Sequence, residues 1–412
     1  MQLKKKKEAK HTMAINPTYI KELFEEAVLK YQNVCHQLNY FLAENPELSG
    51  EEFKACQKFV DICRERGMEV EEEFCGLPTA FRANVNNVEN PQAHIAILAE
   101  YDALPDLGHG CGHSMSGSMS LLTALALHSI SEKLNVNIDL IGTPDEELHG
   151  EKITMVNQGV FKKYDFAMMV HLNSNTTMPK VKFLALSAYR VRFYGKPAHA
   201  AASPWEGKNA LSAAQLTFHA IDQLRQRVKP DTRMSYYIVH GGKASNIIPD
   251  YAEIQVELRH SNRAYLDTVI EKVENCIKGA AIATETSFDI EMIGYPYSDM
   301  LQNEPGIEVI KSVMEEMDLP FIEEDDSMGS SDIGNVSYQC PAFHPMLACS
   351  NDYFTLHSQE MVDVCLSEKS KEVINQGARL IGNTILSLIE KPELLEKIKE
   401  DFGSKSTLLV NS

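Results

Sequence analysis

Cys111, His113, Glu146, Glu147, His171 and His357 are the residues whose types best suit chemistry carried out together: one thiol, three imidazoles and two adjacent carboxylates. Thiolate and imidazole are borderline-soft ligands that suit zinc and tolerate manganese, cobalt or nickel, while carboxylates bind one ion or bridge two. Gly108, Gly110 and Gly112 let the chain turn tightly enough to bring Cys111 and His113 to the same ion or ion pair. Neighbouring residues at a strand end point in different directions, so one of Glu146 and Glu147 can hold metal while the other faces a water. Like charges also raise the proton affinity of the less stabilised carboxylate, which suits a general base. Asp102, nine residues before Cys111, could accept a bond from a ligand imidazole and fix its tautomer, or could be a turn carboxylate at a strand end. His109 and Asp106 read as loop residues.

Three further candidates lie downstream. His199, in Lys196-Pro197-Ala198-His199-Ala200, could polarise a substrate carbonyl or be a satisfied loop histidine. Asn246 closes the run Gly241 to Asn246, which is too long for a two-residue hairpin, and could hydrogen-bond a polar substrate. Arg259, at a strand end, could bind a substrate carboxylate or form a structural salt bridge. Gly329 to Asn335 reads as a loop and helix start beside the site. It is not a phosphate loop, since no GxxxxGK[ST] occurs and no GxGxxG follows a strand.

The elements that must position these residues follow from periodicity. Tyr19 to Leu42 and Glu51 to Arg66 carry apolar residues at helical spacing. Strands are expected at Ala80 to Asn84, His94 to Leu98, Val136 to Gly142 and Phe166 to Val170, with a small-residue helix at Ser114 to Ile130. Three apolar strands therefore end at three polar clusters: Glu100-Tyr101-Asp102, Thr143 to Glu147, and His171. This is the pattern of an open α/β sheet whose site lies beyond the strands' carboxyl ends.

From about Ala185 the pattern changes to β-α-β-β-α-β, the ferredoxin-like split βαβ, long enough for an inserted domain. Its helices are expected at Gly207 to Arg227 and Tyr265 to Ala280, and alternation at Ala252, Ile254, Val256 and Leu258 leaves one sheet face covered and the other more polar. The α/β character then returns, with a helix at Gly306 to Glu316, a strand-like segment at Pro320 to Glu323, a closing helix at Ser367 to Ile389 and a frayed last twenty residues. The expected division is a disordered start at 1–15, a catalytic domain at 16–184 and 296–412, and a lid at 185–295.

Composition narrows the function classes. A net charge of −19 over 412 residues argues against a broad nucleic-acid surface. No apolar stretch approaches the length that spans a bilayer, so no membrane partner is expected. Nine cysteines without a regular framework fit reduced thiols. The opening MQLKKKKEAKHT has a basic run but no apolar core or cleavage-like site, which makes a cytoplasmic location the default.

Taken in order from about Ala96 to His357, "DALP", "GCGH", "GTPDEE", "MMVH", "GKPAHAAASPWEG", "GGKASNIIPD" and "SSDIGNVSYQCPAFHP" resemble the dinuclear metal amidohydrolases. That family includes aminoacylase, hippurate hydrolase, auxin-conjugate hydrolases and aminobenzoyl-glutamate hydrolases, and "CGHSMSG" and "GNVSY" are most similar to the last branch. The resemblance implies a metallopeptidase-like α/β catalytic domain with an inserted ferredoxin-like lid, a homodimer through that insert, possible further assembly to a tetramer, and a small amide or peptide substrate. Cys111, His113, Glu147, His171 and His357 match metal-ligand positions for one or two divalent ions, zinc first and manganese as the alternative. Glu146 matches the general base, Asp102 the acidic residue near the ligands, and Asn246 a lid residue contacting substrate. His199 matches a lid histidine that in many relatives reaches the partner subunit's site.

Two departures stand out. His113-Ser114-Met115-Ser116 lacks the Asp and later His of the hippurate branch, and Asp332 stands where many relatives carry a Glu-Asp pair, so its role is expected to be structural or peripheral. The implied activity is hydrolysis of the amide bond in N-acyl or N-aroyl amino acids or small peptides, with metal-activated water as nucleophile. The alternatives are a dipeptidase or carboxypeptidase acting on unblocked peptides, and a catalytically idle scaffold, against which the intact Glu146 argues.

Overall fold

The structure, a computed structural model, describes residues 17–323 and 329–410. The expected disordered start at 1–15 lies outside them. The first part of the chain runs α1 (Pro17–Glu44), α2 (Phe53–Glu65), β1 (Val70–Glu72), β2 (Phe81–Asn86), β3 (His94–Ala99), α3 (His113–Ser129), β4 (Asn137–Gly142), α4 (Lys152–Asn157), β5 (Phe166–Met168) and β6 (His171–Asn173). The second part comprises β7 (Ala185–Tyr194), α5 (Ala210–Leu224), β8 (Arg233–His240), β9 (Tyr251–His260), α6 (Arg263–Thr284) and β10 (Ser287–Tyr297). The chain then returns through α7 (Glu304–Glu316), α8 (Ile333–Val336), β11 (Ala342–Phe343), β12 (Met346–Ala348), α9 (Gln359–Leu366), α10 (Lys369–Glu390) and α11 (Pro392–Val410).

The larger sheet has the order β1-β2-β4-β3-β5-β11. Its centre is parallel, β3 pairing with β4 and β5 and β5 with β11, while β2 and β1 run antiparallel at one edge. Ile95 to Ala99 of β3 are all fully buried, as a continuous apolar strand covered on both faces should be. Helix α3 is buried on every side from His113 to Leu127, the mark of a core helix rather than a surface one. Its small residues let it lie against the strand ends. A Cβ on Gly117 would meet the carbonyl oxygen of Glu100 at 2.3 Å, and the Ser116 and Ser120 hydroxyls donate to Val170 O and Leu98 O at 2.6 Å each. The start of α3 is thereby fixed against the carboxyl ends of β3 and β5, where the three polar clusters lie.

The second region forms an antiparallel sheet of order β10-β7-β9-β8, the arrangement expected of the ferredoxin-like split βαβ. Strand β9 alternates buried and half-buried residues throughout. Helices α5 and α6 cover one face, with Val191, Phe193, Ile254, Val256, Leu266 and Val273 in a core separate from that of the larger sheet. Asn209 and Asn262 start the two helices by accepting from Ser212 N and Tyr265 N, side-chain caps typically worth about 1 kcal/mol each.

The C-terminal elements require two corrections. Pro320 to Glu323 is not a strand: after the left-handed Asp318 (φ 52°) the chain runs as an irregular connector, held by Ile322 N donating to Thr177 O at 3.0 Å. Nor is the tail simply frayed, because α11 continues to Val410 and buries Leu395 and Ile398. Each such side chain contributes roughly 2 kcal/mol, enough to dock a helix whose composition is otherwise charged. The short strands β1, β6, β11 and β12 were not expected, since two or three residues give no periodicity to read. Among the described residues no helix is long and apolar enough to cross a membrane.

Candidate metal centre

The end of β3 delivers Asp102, and the glycine turn before α3 delivers Cys111 and His113 through Gly112 at φ 88°. His113 is fully buried, and its Nδ1 lies 2.8 Å from Asp102 Oδ1. The other Asp102 oxygen accepts from Ser49 Oγ at 2.8 Å and Glu147 N at 3.0 Å. Burial alone would raise the Asp102 pKa, but the His113 charge and these hydrogen bonds overcome it and hold the carboxyl well below its usual range. Burial likewise disfavours charge on His113, yet Asp102 and Glu100 push it well above the ordinary imidazole value. Asp102 therefore holds Nδ1 and turns Nε2 the other way, as expected for a carboxylate that orients a ligand imidazole.

The chain leaving β4 delivers the carboxylate pair through a left-handed Asp145 (φ 57°), whose N–H donates to Glu52 Oε1 at 2.8 Å. Glu147 then lies between two imidazoles, Oε1 3.9 Å from His113 Nε2 and Oε2 3.6 Å from His357 Nε2. His357, itself left-handed (φ 62°), is tied to the glycine turn by its N–H donating to Gly110 O at 2.8 Å. On the other side Cys111 Sγ is 3.5 Å from His171 Nε2, and His171 Nδ1 is 3.0 Å from Leu172 O. Ligand atoms of Cys111, His113 and His171 lie within 4.8 Å of one another, as do those of Cys111, Glu147 and His357. The two groups share Cys111. His113 Nε2 and Glu147 Oε1 are buried and make no hydrogen bond, an arrangement that is costly unless a cation lies between them. The five residues thus fit one or two divalent ions.

Glu146 stands beside these ligands: a carboxylate oxygen of it lies within 4.8 Å of ligand atoms of His113 and Glu147. It lines the cleft, and its main-chain carbonyl accepts from Tyr297 Oη at 2.8 Å. Desolvation, then the Glu100 and Glu147 charges, push its carboxyl well above the usual range, the shift that prepares a carboxylate to take a proton near neutral pH. Beneath it Lys152 Nζ bonds Glu100 Oε1 at 2.6 Å and Asp332 Oδ1 at 2.7 Å, and Lys152 N donates to Asp332 Oδ2 at 3.0 Å. All three residues are at most 1% exposed. Asp332 is thus structural but not peripheral: its oxygen lies within 4.8 Å of oxygens of Glu100 and Glu146.

The cleft between the two sheets encloses a cavity of about 450 Å³. Cys111, Glu146, Glu147, His171 and His357 line it on one side, and Glu257, Arg259 and Tyr295 of the lid sheet on the other. Arg259 also makes a structural pair, Nε donating to Glu257 Oε1 at 2.8 Å and Nη1 to Ser330 Oγ at 3.3 Å. The structure does not bring His199 or Asn246 to this cavity within one chain. Both are exposed, His199 Nδ1 accepts from the N–H groups of Ala201 and Ala202, and Asn246 O accepts from Ala200 N. Asp106 is an exposed loop residue as expected, but His109 is only 2% exposed.

Sequence reasoning assigned no role to Glu100, Lys152, Glu257 or His344. His344 is buried against His171 and Phe183, with ring centroids 5.3 and 5.0 Å apart, and burial lowers its pKa to about 3. Glu100 directly follows an apolar strand, the same signal that marked Asp102 and His171, whereas His344 follows the two-residue β11, too short to give one. Lys152, a single lysine on a short helix, carries no such signal.

Residues 185–285 match the family model described as the peptidase dimerisation domain. The Xaa-Arg dipeptidase of Mus musculus is 34% identical over 377 residues, covering 87% of this chain and 86% of the mouse protein. A p-aminobenzoyl-glutamate hydrolase polypeptide of Escherichia coli is 28% identical over 291 residues, 66% of this chain and 59% of that polypeptide. Among solved structures, a dinuclear metal-binding peptidase of the M20 family from Bacillus subtilis superposes with a TM-score of 0.69 at 18% identity, covering 88% of this chain and 99% of the other.

Proposed function

The chain belongs to the M20 family of metallopeptidases and amidohydrolases, enzymes that cut amide bonds, and on that premise we propose that it hydrolyses small amides whose amine half carries a free carboxylate. One observation carries this reading: a single cavity is lined by Cys111, Glu147, His171 and His357, by the neighbouring carboxylate Glu146, and by the lid guanidinium of Arg259. Divalent ions bound by the five candidate ligands would polarise the scissile carbonyl and make water a better nucleophile at neutral pH.

The chain's own groups do the rest. Glu146 takes the proton from the attacking water and gives it to the departing amine. Asp102 keeps His113 Nδ1 occupied and its Nε2 directed at the centre. Arg259, braced by Glu257 and Ser330, pairs with the substrate carboxylate. His199 of a second copy donates to the carbonyl oxygen as it gains charge, and Asn246 beside it contacts substrate, which makes a homodimer through residues 185–295 the working form.

Of the two acyl sides, unblocked dipeptides are favoured by the Xaa-Arg dipeptidase at 34% identity. N-acyl or N-aroyl amino acids are the second reading, supported by the p-aminobenzoyl-glutamate hydrolase of Escherichia coli. A panel pairing each dipeptide with its N-benzoyl counterpart separates them: faster cleavage of the dipeptides is expected, and cleavage of the blocked series alone would reverse the order. Glu146→Ala should lose turnover, by about 100- to 10,000-fold for loss of a general base, while elemental analysis finds its metal content unchanged. Normal turnover in that variant would remove the base assignment, whereas metal-loaded wild-type protein that cleaves neither series would leave the idle-scaffold reading standing.

A further inference from the structure

Three buried polar atoms at the centre have no hydrogen-bond partner: Glu100 Oε2, His113 Nε2 and Glu147 Oε1. The two carboxylate oxygens lie 3.4 and 3.9 Å from the same imidazole nitrogen. A single buried unsatisfied group costs about 1–3 kcal/mol, and more when it is charged. Two carboxylate oxygens facing one imidazole nitrogen, with no donor supplied by the rest of the fold, form an arrangement that a cation would satisfy. Two of these three residues, His113 and Glu147, are already candidate ligands, and the third is not.

We propose that Glu100 is an additional ligand of the metal centre, its Oε2 joining His113 Nε2 on one ion. This rests on the proposed metal-dependent function. The surroundings of Glu100 are built to aim one oxygen and hold the other. Oε1 is fixed by the Lys152 ammonium at 2.6 Å, and Lys152 is fixed in turn by both oxygens of Asp332. The Glu100 backbone is pinned by the close passage of α3, where only a glycine fits at position 117. At 1% exposure the carboxylate has no water to turn toward.

The buried ion triad therefore does more than fill the floor: it keeps a carboxylate that would otherwise rotate or take up a proton in place as a one-oxygen donor. The donor set becomes one sulfur, three imidazoles and two carboxylates. An added oxygen raises the coordination number and shifts the centre toward harder ions.

The test is titration of metal-free protein with Co²⁺ alone, reading the visible absorption, with Zn²⁺ and Mn²⁺ affinities measured by chelator competition. Glu100→Gln retains an oxygen for Lys152, and it should weaken ion binding at least about tenfold and intensify the cobalt bands as one ligand is lost. An unchanged cobalt spectrum overturns the proposal, even with weaker binding, because a residue that only positions His113 would leave the coordination number as it was. If Glu100→Gln does not fold, Glu100→Asp keeps the charge beside Lys152 while withdrawing the oxygen, and the same spectral change decides. Wild-type protein that binds no cobalt would overturn the metal-dependent function itself, whereas normal wild-type binding with an unaltered Glu100 variant overturns only the ligand role.

Discussion

The floor of the cleft and the histidine loop of the lid place the same side chain in opposite conditions. On the floor, His113 is fully buried, one ring nitrogen held by Asp102 and the other without a partner. On the lid, His199 is exposed and its Nδ1 is occupied by the N–H groups of its own loop. A buried nitrogen left unpaired is costly and is retained where something binds it. An exposed, locally satisfied one costs little and acquires electrostatic strength only when another surface removes the water around it. On the proposed function, the floor is complete within one chain up to its ions, whereas the lid loop is complete only against a second copy.

Removing the ions should have the largest effect. Dialysis against a chelator is expected to abolish amide hydrolysis and to lower the melting temperature, because ions that bind only the folded floor stabilise it by mass action. Adding back Zn²⁺ or Mn²⁺ should restore both. Full activity in protein shown to be metal-free would remove the distinction between a floor that needs ions and a lid that needs a partner.

The lid side is tested by His199→Ala, expected to lower kcat by about 100- to 1,000-fold, as for loss of one donor to a developing oxyanion, with metal content unchanged. Mixing that variant with Glu146→Ala under conditions of subunit exchange should recover activity. Each mixed dimer then holds one site with its own Glu146 and the other subunit's His199. A mixture no more active than its parents would mean that the loop does not act across the dimer, and the lid would become an ordinary surface.

The difference between the regions also explains what was legible in the sequence. Ligand types at strand ends marked the floor, because β3, β4 and β5 are apolar runs that stop at Asp102, Glu146 and His171. The lid's β-α-β-β-α-β order was equally legible, since its strands are ten residues or so and alternate along their length. The brace under the floor was not. Lys152, Glu100 and Asp332 are 52 and 180 residues apart, and a lysine acquires its meaning only when the fold buries it between two carboxylates. The docking of α11 by Leu395 and Ile398 was hidden for a related reason, two apolar residues in a charged tail being indistinguishable from a frayed end until something packs on them.

The smallest expected effect concerns how the floor is supported. Glu52 is buried, its Oε1 accepting from Gly50 N and Asp145 N and its Oε2 from Thr79 Oγ1, all at 2.8 Å. It thereby holds the left-handed turn that presents Glu146 and Glu147. Burial, then the nearby Asp102 carboxylate, push its pKa from 4.5 up to about 7. A carboxyl raised on folding holds a proton that the unfolded chain releases, so its contribution to stability is complete below pH 4.5 and is lost as pH rises through about 7. Glu52→Gln keeps an oxygen for the two N–H groups and an amide beside Thr79, and it cannot ionise. Measured on metal-free protein, the variant should gain stability relative to wild type as pH rises across that window. A difference that stays constant with pH would mean that Glu52 is already charged in the folded state, and that the turn carrying Glu146 and Glu147 tolerates a second buried negative charge beside Asp102.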